Sequence, residues 1–189
     1  MIDLEPAARR INDLIASVAE DQLNRPTPCP DASLGDLMDH LGIFAAAFVA
    51  AARKESSGRT GPPPSATNLE PGWRDRISRD LLALAAAWGH PDAWDGTTFA
   101  GSVEMPAEVV GLVALDELVV HGWDIAVATG QPYEVPDQEV DAAMAFVGTF
   151  DVPRDGTLFG PIVPVADTAT PLERLLGVTG REPGWRPPA

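Results

Sequence analysis

Three histidines and one cysteine are the scarcest chemically useful side chains among the 189 residues, and two of the histidines stand where they could do chemistry with a carboxylate. Glu117 and His121 lie four apart in the stretch 109–128, which is apolar nearly all round. That spacing puts both side chains on one helix face, with Cβ atoms roughly 5–6 Å apart. A helix apolar on every side is normally buried. Burying a carboxylate without a partner costs on the order of several kcal/mol, so Glu117 calls for a charge or a metal ion. His40 borders a second apolar stripe, between Leu37 and Leu41 with Phe44 one turn on. If the two helices are neighbours, His40 meets Glu117 and His121 across the core. Two imidazoles and one carboxylate leave coordination positions open, as a catalytic metal site requires. Two plainer readings stay open. Glu117 and His121 could form a weak helical ion pair on a wet face, and His40 could be a hydrogen-bonded core or edge histidine near Asp36 or Asp39.

The other candidates point to structure. Cys29 lies between Pro28 and Pro30 with only Arg25 as a cation nearby in sequence, so it reads as a small apolar group rather than a nucleophile. His90 follows a helix end and reads as a cap. Trp73, Trp88, Trp94, Trp123 and Trp185 read as core or pocket wall. No phosphate loop is present.

Composition excludes several classes. Thirteen basic against 28 acidic side chains give a net charge of −15. That balance argues against nucleic acid and anionic membrane surfaces, which select clustered Lys and Arg. One cysteine forms no internal disulfide. The first ten residues lack the apolar stretch of a signal peptide. The longest continuous apolar run, residues 43–52, is about half of what spans a bilayer. A soluble cytoplasmic protein is expected.

The elements that must position these residues are helices. Residues 5–20 carry Ala8, Ile11, Leu14, Ile15 and Val18 on one stripe. Three alternating prolines at 26, 28 and 30 then enforce an extended turn. Ser33, with Asp36 three residues on, predicts a capped helix over 33–54. A Ser/Gly/Pro-rich loop at 55–71 is long enough to be mobile or functional. Further helices are expected over 72–88, over 106–129 ending at Gly130, and more weakly over 137–150, with one short extended piece in 97–105. The Pro/Gly-rich tail, 151–189, contains the start signal Thr170-Pro171-Leu172-Glu173 for one short helix. The pattern predicts an all-α, antiparallel four-helix bundle, one domain over 1–189 with an irregular C-terminal extension packed on it.

Three ordered motifs carry a family resemblance. Pro26-Thr27-Pro28-Cys29-Pro30-Asp31 followed by the segment from Ser33 to Leu41, then Leu115-Asp116-Glu117-Leu118-Val119-Val120-His121-Gly122-Trp123-Asp124, then Leu172 to Trp185 with Thr179-Gly180-Arg181-Glu182-Pro183 inside it, are similar to the DinB/YfiT-like superfamily. Within it they resemble the actinobacterial branch related to the N-terminal domain of mycothiol-dependent maleylpyruvate isomerase. The resemblance implies a DinB-like four-helix bundle holding a divalent metal through His40, Glu117 and His121. Zinc is expected first, with nickel, iron or manganese as alternatives. It also implies mycothiol as a co-substrate, a small-molecule substrate and, on the pattern of relatives, a homodimer. Two departures stand out. Ala32 replaces the tryptophan usual after the Cys-Pro turn, and the isomerase's separate C-terminal domain has no counterpart, so maleylpyruvate isomerisation is not implied.

Asp124, one turn beyond His121, and Asp36, one turn before His40, are candidates for orienting the two imidazoles. Both could equally be solvated carboxylates or, for Asp36, a helix-dipole partner. Three functions fit this pattern: a metal-dependent thiol transferase or isomerase, a metal-dependent hydrolase using bound water, and a non-catalytic metal or small-ligand binder.

Overall fold

The computed structural model describes residues 1–55, 61–149, 154 and 159–188. Helix α1 (Glu5–Ala16) buries Ala7, Ala8, Ile11, Leu14 and Ile15. It stops four residues earlier than its apolar stripe predicts. The backbone turns extended at Ala19, whose amide donates to the Gln22 side chain at 2.9 Å, and a single tight turn (Glu20–Gln22) follows. The proline run forms a closed loop. Leu34 N–H donates to the Arg25 carbonyl at 2.8 Å and the Thr27 hydroxyl to that of Ala32 at 2.9 Å.

Helix α2 (Leu34–Ala52) opens on the expected capping box, in which Ser33 and Asp36 satisfy each other's backbone amides. By length and by a mean hydropathy of 1.4 this helix passes as one that could cross a membrane, although its continuous apolar run is only the expected 43–52; 61% of its most apolar 18-residue window is buried inside the protein. The loop after it, where described, is pinned rather than loose. Asp39 accepts from Ser65 N–H at 2.9 Å and from Asn68 Nδ2 at 2.8 Å, and Asp36 accepts from Ala66 N–H at 2.8 Å. Gly35 permits this approach, because a Cβ there would sit 2.6 Å from the Ala66 Cβ. Residues 56–60 of that loop lie outside the described residues.

Helix α3 (Trp73–Trp88) packs on α2 and α1. Residues 97–106 form a small antiparallel hairpin, β1 (Thr97–Ala100) with β2 (Val103–Pro106), where a single extended piece was expected. Gly101, at φ 57, makes the reversal. Helix α4 (Ala107–Thr129) is buried along nearly its whole circumference and ends at Gly130 in the left-handed conformation. It contacts α1 and α2, so the ring runs α1, α3, α2, α4 and closes on α1. This is the expected all-α bundle. Helix α5 (Asp137–Thr149) lies on α4, and α6 (Pro171–Val178) lies on α5. Phe150, the expected end of α5, and most of residues 151–158 lie outside the described residues.

The tail helix is framed by two local signals. Thr170 and Glu173 form its capping box. At its end Gly180, at φ 86, donates to the Gly177 carbonyl at 3.2 Å, and Arg181 N–H donates to that of Leu176 at 2.8 Å. That pair of bonds is a Schellman motif, which reverses the chain in one residue. A Cβ at Gly180 would lie 2.7 Å from the Gly160 Cα, so no larger side chain fits the crossing.

Candidate metal centre

Because α2 and α4 are adjacent in the ring, His40 and Glu117 face one another although 77 positions separate them. His40 Nε2 lies 2.9 Å from Glu117 Oε2, and His121 Nε2 lies 3.1 Å from the same oxygen. The two rings stand edge to face with centroids 4.9 Å apart. One donor atom from each of the three residues falls within 4.8 Å of the other two. This donor set suits a first-row divalent ion, which the two imidazoles would have to meet in their neutral form.

Behind His121 stands a second layer. Its Nδ1 lies 3.0 Å from Asp124 Oδ2, and Asp124 is fully buried. Arg181 reaches the same carboxylate from the tail, with Nε 3.2 Å from Oδ1 and Nη2 3.0 Å from Oδ2. With Nδ1–H donating to Asp124, His121 directs Nε2 toward Glu117 and His40; without a metal that nitrogen also carries a proton and donates it to Glu117, and a bound cation would take its place. The electrostatics follow from this chain of contacts. Burial works against the charged form of His121, but its hydrogen bonds to Asp124 and Glu117 prevail and push it up to about 10. Burial would raise Glu117, yet hydrogen bonds to His121 and His40 hold it well below the ordinary carboxylate range.

Asp36 takes the helix-start place, one of the two roles its position left open. Its Oδ2 accepts from Ser33 N–H at 2.9 Å and from Ser33 Oγ at 2.6 Å, while Oδ1 takes the Ala66 amide. Those bonds, led by that of Ser33, lower its pKa and make it a cap and loop clamp rather than an orienter of His40. His90 lies exposed just past α3, at the start of the turn Pro91–Trp94, and its side chain makes no cap hydrogen bond there. The tryptophans behave as expected. Trp73, Trp88 and Trp123 are buried, and Trp88 Nε1 donates to the Phe48 carbonyl at 3.0 Å.

Two features escaped sequence reasoning. Cys29, remote from any histidine along the chain, lines the same cavity, and its Sγ falls within 4.8 Å of donor atoms of His121 and Asp124. Burial pushes its thiol up, which suits an inert wall group. A cation among Cys29, His121 and Asp124 would have to displace the Arg181 guanidinium, so the His40, Glu117 and His121 cluster is the better candidate. The second feature is Asp116, buried with Oδ1 unpaired among the described residues, beside a chamber of about 30 Å³. Burial and the neighbouring Glu117 charge push it up to about 8, so it is mostly protonated at neutral pH. Only its position in an apolar helix hinted at this.

The cluster opens on a cavity of about 960 Å³, walled by the Cys29–Ala32 turn, Leu37, Pro64 and the tail residues Gly160, Pro161 and Arg181. Ala32 lies on this wall, at the position where the family resemblance leads one to expect a tryptophan.

Comparison with known proteins agrees with this architecture. A family model described as the mycothiol maleylpyruvate isomerase N-terminal domain matches residues 4–126. An uncharacterised protein of Mycobacterium tuberculosis strain H37Rv is 32% identical over 179 residues, covering 89% of this chain and 90% of the relative. A counterpart in strain CDC 1551 matches equally well. Among solved structures, the mycothiol-dependent maleylpyruvate isomerase aligns with a TM-score of 0.58 at 14% identity, over 75% of this chain and 63% of that one. A histidine-to-alanine variant of that enzyme aligns with a TM-score of 0.56. This chain therefore spans less than two thirds of the isomerase, and at that identity the likeness is one of fold. From the family match and the bundle together, the chain belongs to the mycothiol maleylpyruvate isomerase N-terminal domain family.

Proposed function

We propose that this protein binds a divalent cation, zinc first, through His40, Glu117 and His121, and uses a low-molecular-weight thiol of the mycothiol type to transform a small electrophile, as a transferase or isomerase. The observation that carries this reading is the convergence of both Nε2 atoms on one oxygen of Glu117, at 2.9 and 3.1 Å, on the wall of a large cavity. The family relationship to a mycothiol-dependent isomerase supports the thiol. A cytoplasmic location, where such thiols stay reduced, belongs to the same reading.

Bound there, a divalent cation supplies a Lewis-acid position that favours the deprotonated form of a thiol. The protein's own groups do the rest. Asp124 fixes which His121 nitrogen faces the cavity. Leu37, Pro30, Ala32 and Pro161 give one part of the cavity wall an apolar surface beside the charged Asp31, Asp36 and Arg181. A volume of about 960 Å³ is ample for a small substrate beside a thiol.

Elemental analysis of protein purified without chelators tests the site. Stoichiometric metal in the wild type and little in His121→Ala is expected, and equal content in both overturns the ligand assignment. Adding mycothiol to cobalt-substituted protein should shift its d–d bands. An unchanged spectrum removes the thiol from the proposal.

A further inference from the structure

The family match ends at residue 126, yet one contact that organises the candidate centre comes from the tail, 57 positions beyond Asp124. Arg181 is 8% exposed and Asp124 is 0% exposed, so without Asp124 the guanidinium would be a buried charge with no carboxylate, and without Arg181 the carboxylate would be left to His121 alone. The guanidinium meets the carboxylate with two nitrogens, Nε at 3.2 Å and Nη2 at 3.0 Å, and gives Nη1 to the Thr179 carbonyl at 3.3 Å. This side-on, two-point contact fixes the carboxylate plane as well as its charge. Asp124 presents to His121 Nδ1 the same oxygen that Nη2 holds. The orientation of the His121 ring is thereby tied to the position of α6, which the capping box at Thr170 and the Schellman turn at Gly180 set.

We propose that Arg181 is a positioning residue for the metal centre: through Asp124 it aims the Nε2 of His121, so the affinity for a divalent cation depends on the docked C-terminal helix. The inference rests on the metal-binding reading above. It adds a residue that touches no ligand, and it gives the tail a function in the centre beyond covering the bundle. Outer partners of metal-bound histidines typically alter affinity by about 10–100-fold.

The test is zinc affinity, measured by competition with a chromophoric chelator on the full chain. Arg181→Met should weaken zinc binding about 10–100-fold. Arg181→Lys, which keeps the charge but loses the two-point contact, should weaken it less. Asp124→Asn should match Arg181→Met. In the double variant, removing the arginine should weaken binding no further, because Arg181 acts only through Asp124. Circular dichroism and the Tm of the metal-free forms separate folding from positioning. A structural ion pair alone would lower Tm and leave affinity intact. Wild-type affinity in folded Arg181→Met, or an added loss in the double variant, overturns the proposal. If Arg181→Met does not fold, the lysine variant carries the same comparison, and wild-type affinity there overturns it. Zinc uptake that fails in the wild type overturns the metal reading as well. Uptake that is lost in His121→Ala but unchanged in the arginine variants overturns the role of Arg181 alone.

Discussion

On the α4 side of the centre, His121 keeps 11% of its side chain exposed and has both ring nitrogens engaged, by Glu117 and by the Asp124–Arg181 pair. On the α2 side, His40 keeps 32% exposed and, among the described residues, makes its hydrogen bond to Glu117 alone, with a ring contact to Phe44 at 6.2 Å. The same side-chain type is thus held in two ways. The α4 arm is a buried chain of paired charges drawn from two distant segments. The α2 arm rests on a well-capped helix and faces the cavity. A low dielectric makes the first arm rigid and costly to break. Greater solvent contact lets the second adjust to whatever enters.

The contrast can be broken at the carboxylate. Asp124→Ala strips Arg181 of its ion pair and leaves the Thr179 carbonyl as its hydrogen-bond partner in the described residues. A loss of about 3–5 kcal/mol in urea denaturation is expected. A loss below about 1 kcal/mol would place both arms in the solvent-screened class.

A pH titration of chelator-treated protein probes the same arm. His121 is raised from 6.5 to about 10, so its contribution is fully present below pH 6.5 and fades as pH rises through about 10. Glu117 is depressed from 4.5, so its contribution is present above pH 4.5 and is lost as pH falls further. The decline on the alkaline side should reach about 2–4 kcal/mol and flatten in His121→Gln. Equal slopes in the two proteins would reassign it.

Side by side, His121→Ala should cost metal-free protein about 2–3 kcal/mol and His40→Ala about 1 kcal/mol. Both variants should lose the metal. Equal costs would erase the difference between the arms.

The smallest effect concerns the wall opposite. Cys29→Ser should change stability by less than about 1 kcal/mol, and the wild-type thiol, raised by burial, should react slowly with an alkylating reagent at neutral pH. Rapid modification would reveal a thiolate and turn the wall into part of the chemistry.

Much of the fold is legible along the chain because its signals are local. Ser33 with Asp36, Thr170 with Glu173, and glycines at 130 and 180 mark helix ends through bonds no longer than one turn. The all-round apolar character of α4 announces its central place, while faces and periodicity leave the grouping of His40 with Glu117 and His121 one option among several, and the family resemblance is what singles it out. Of the two roles open to Asp36, its contacts favour the one at the helix start, for a physical reason. One carboxylate has a limited set of lone pairs, and the nearby Ser33 and Ala66 amides take them before a side chain one turn away can. The hairpin at 97–106 also escaped, since two four-residue strands are too short to show a period.

Most helix spans, the two capping boxes, the buried helix and the ligand-type residues on it were determined by the sequence alone, because each depends on neighbours within a few residues. The tertiary structure decided what surrounds those residues. It brought Cys29 to the wall, left Asp116 buried with an oxygen unpaired among the described residues, and set Arg181 against Asp124 across 57 positions. Such pairings have no periodicity to announce them. They are chosen by where a buried charge, once the helices have packed, finds a partner of opposite sign.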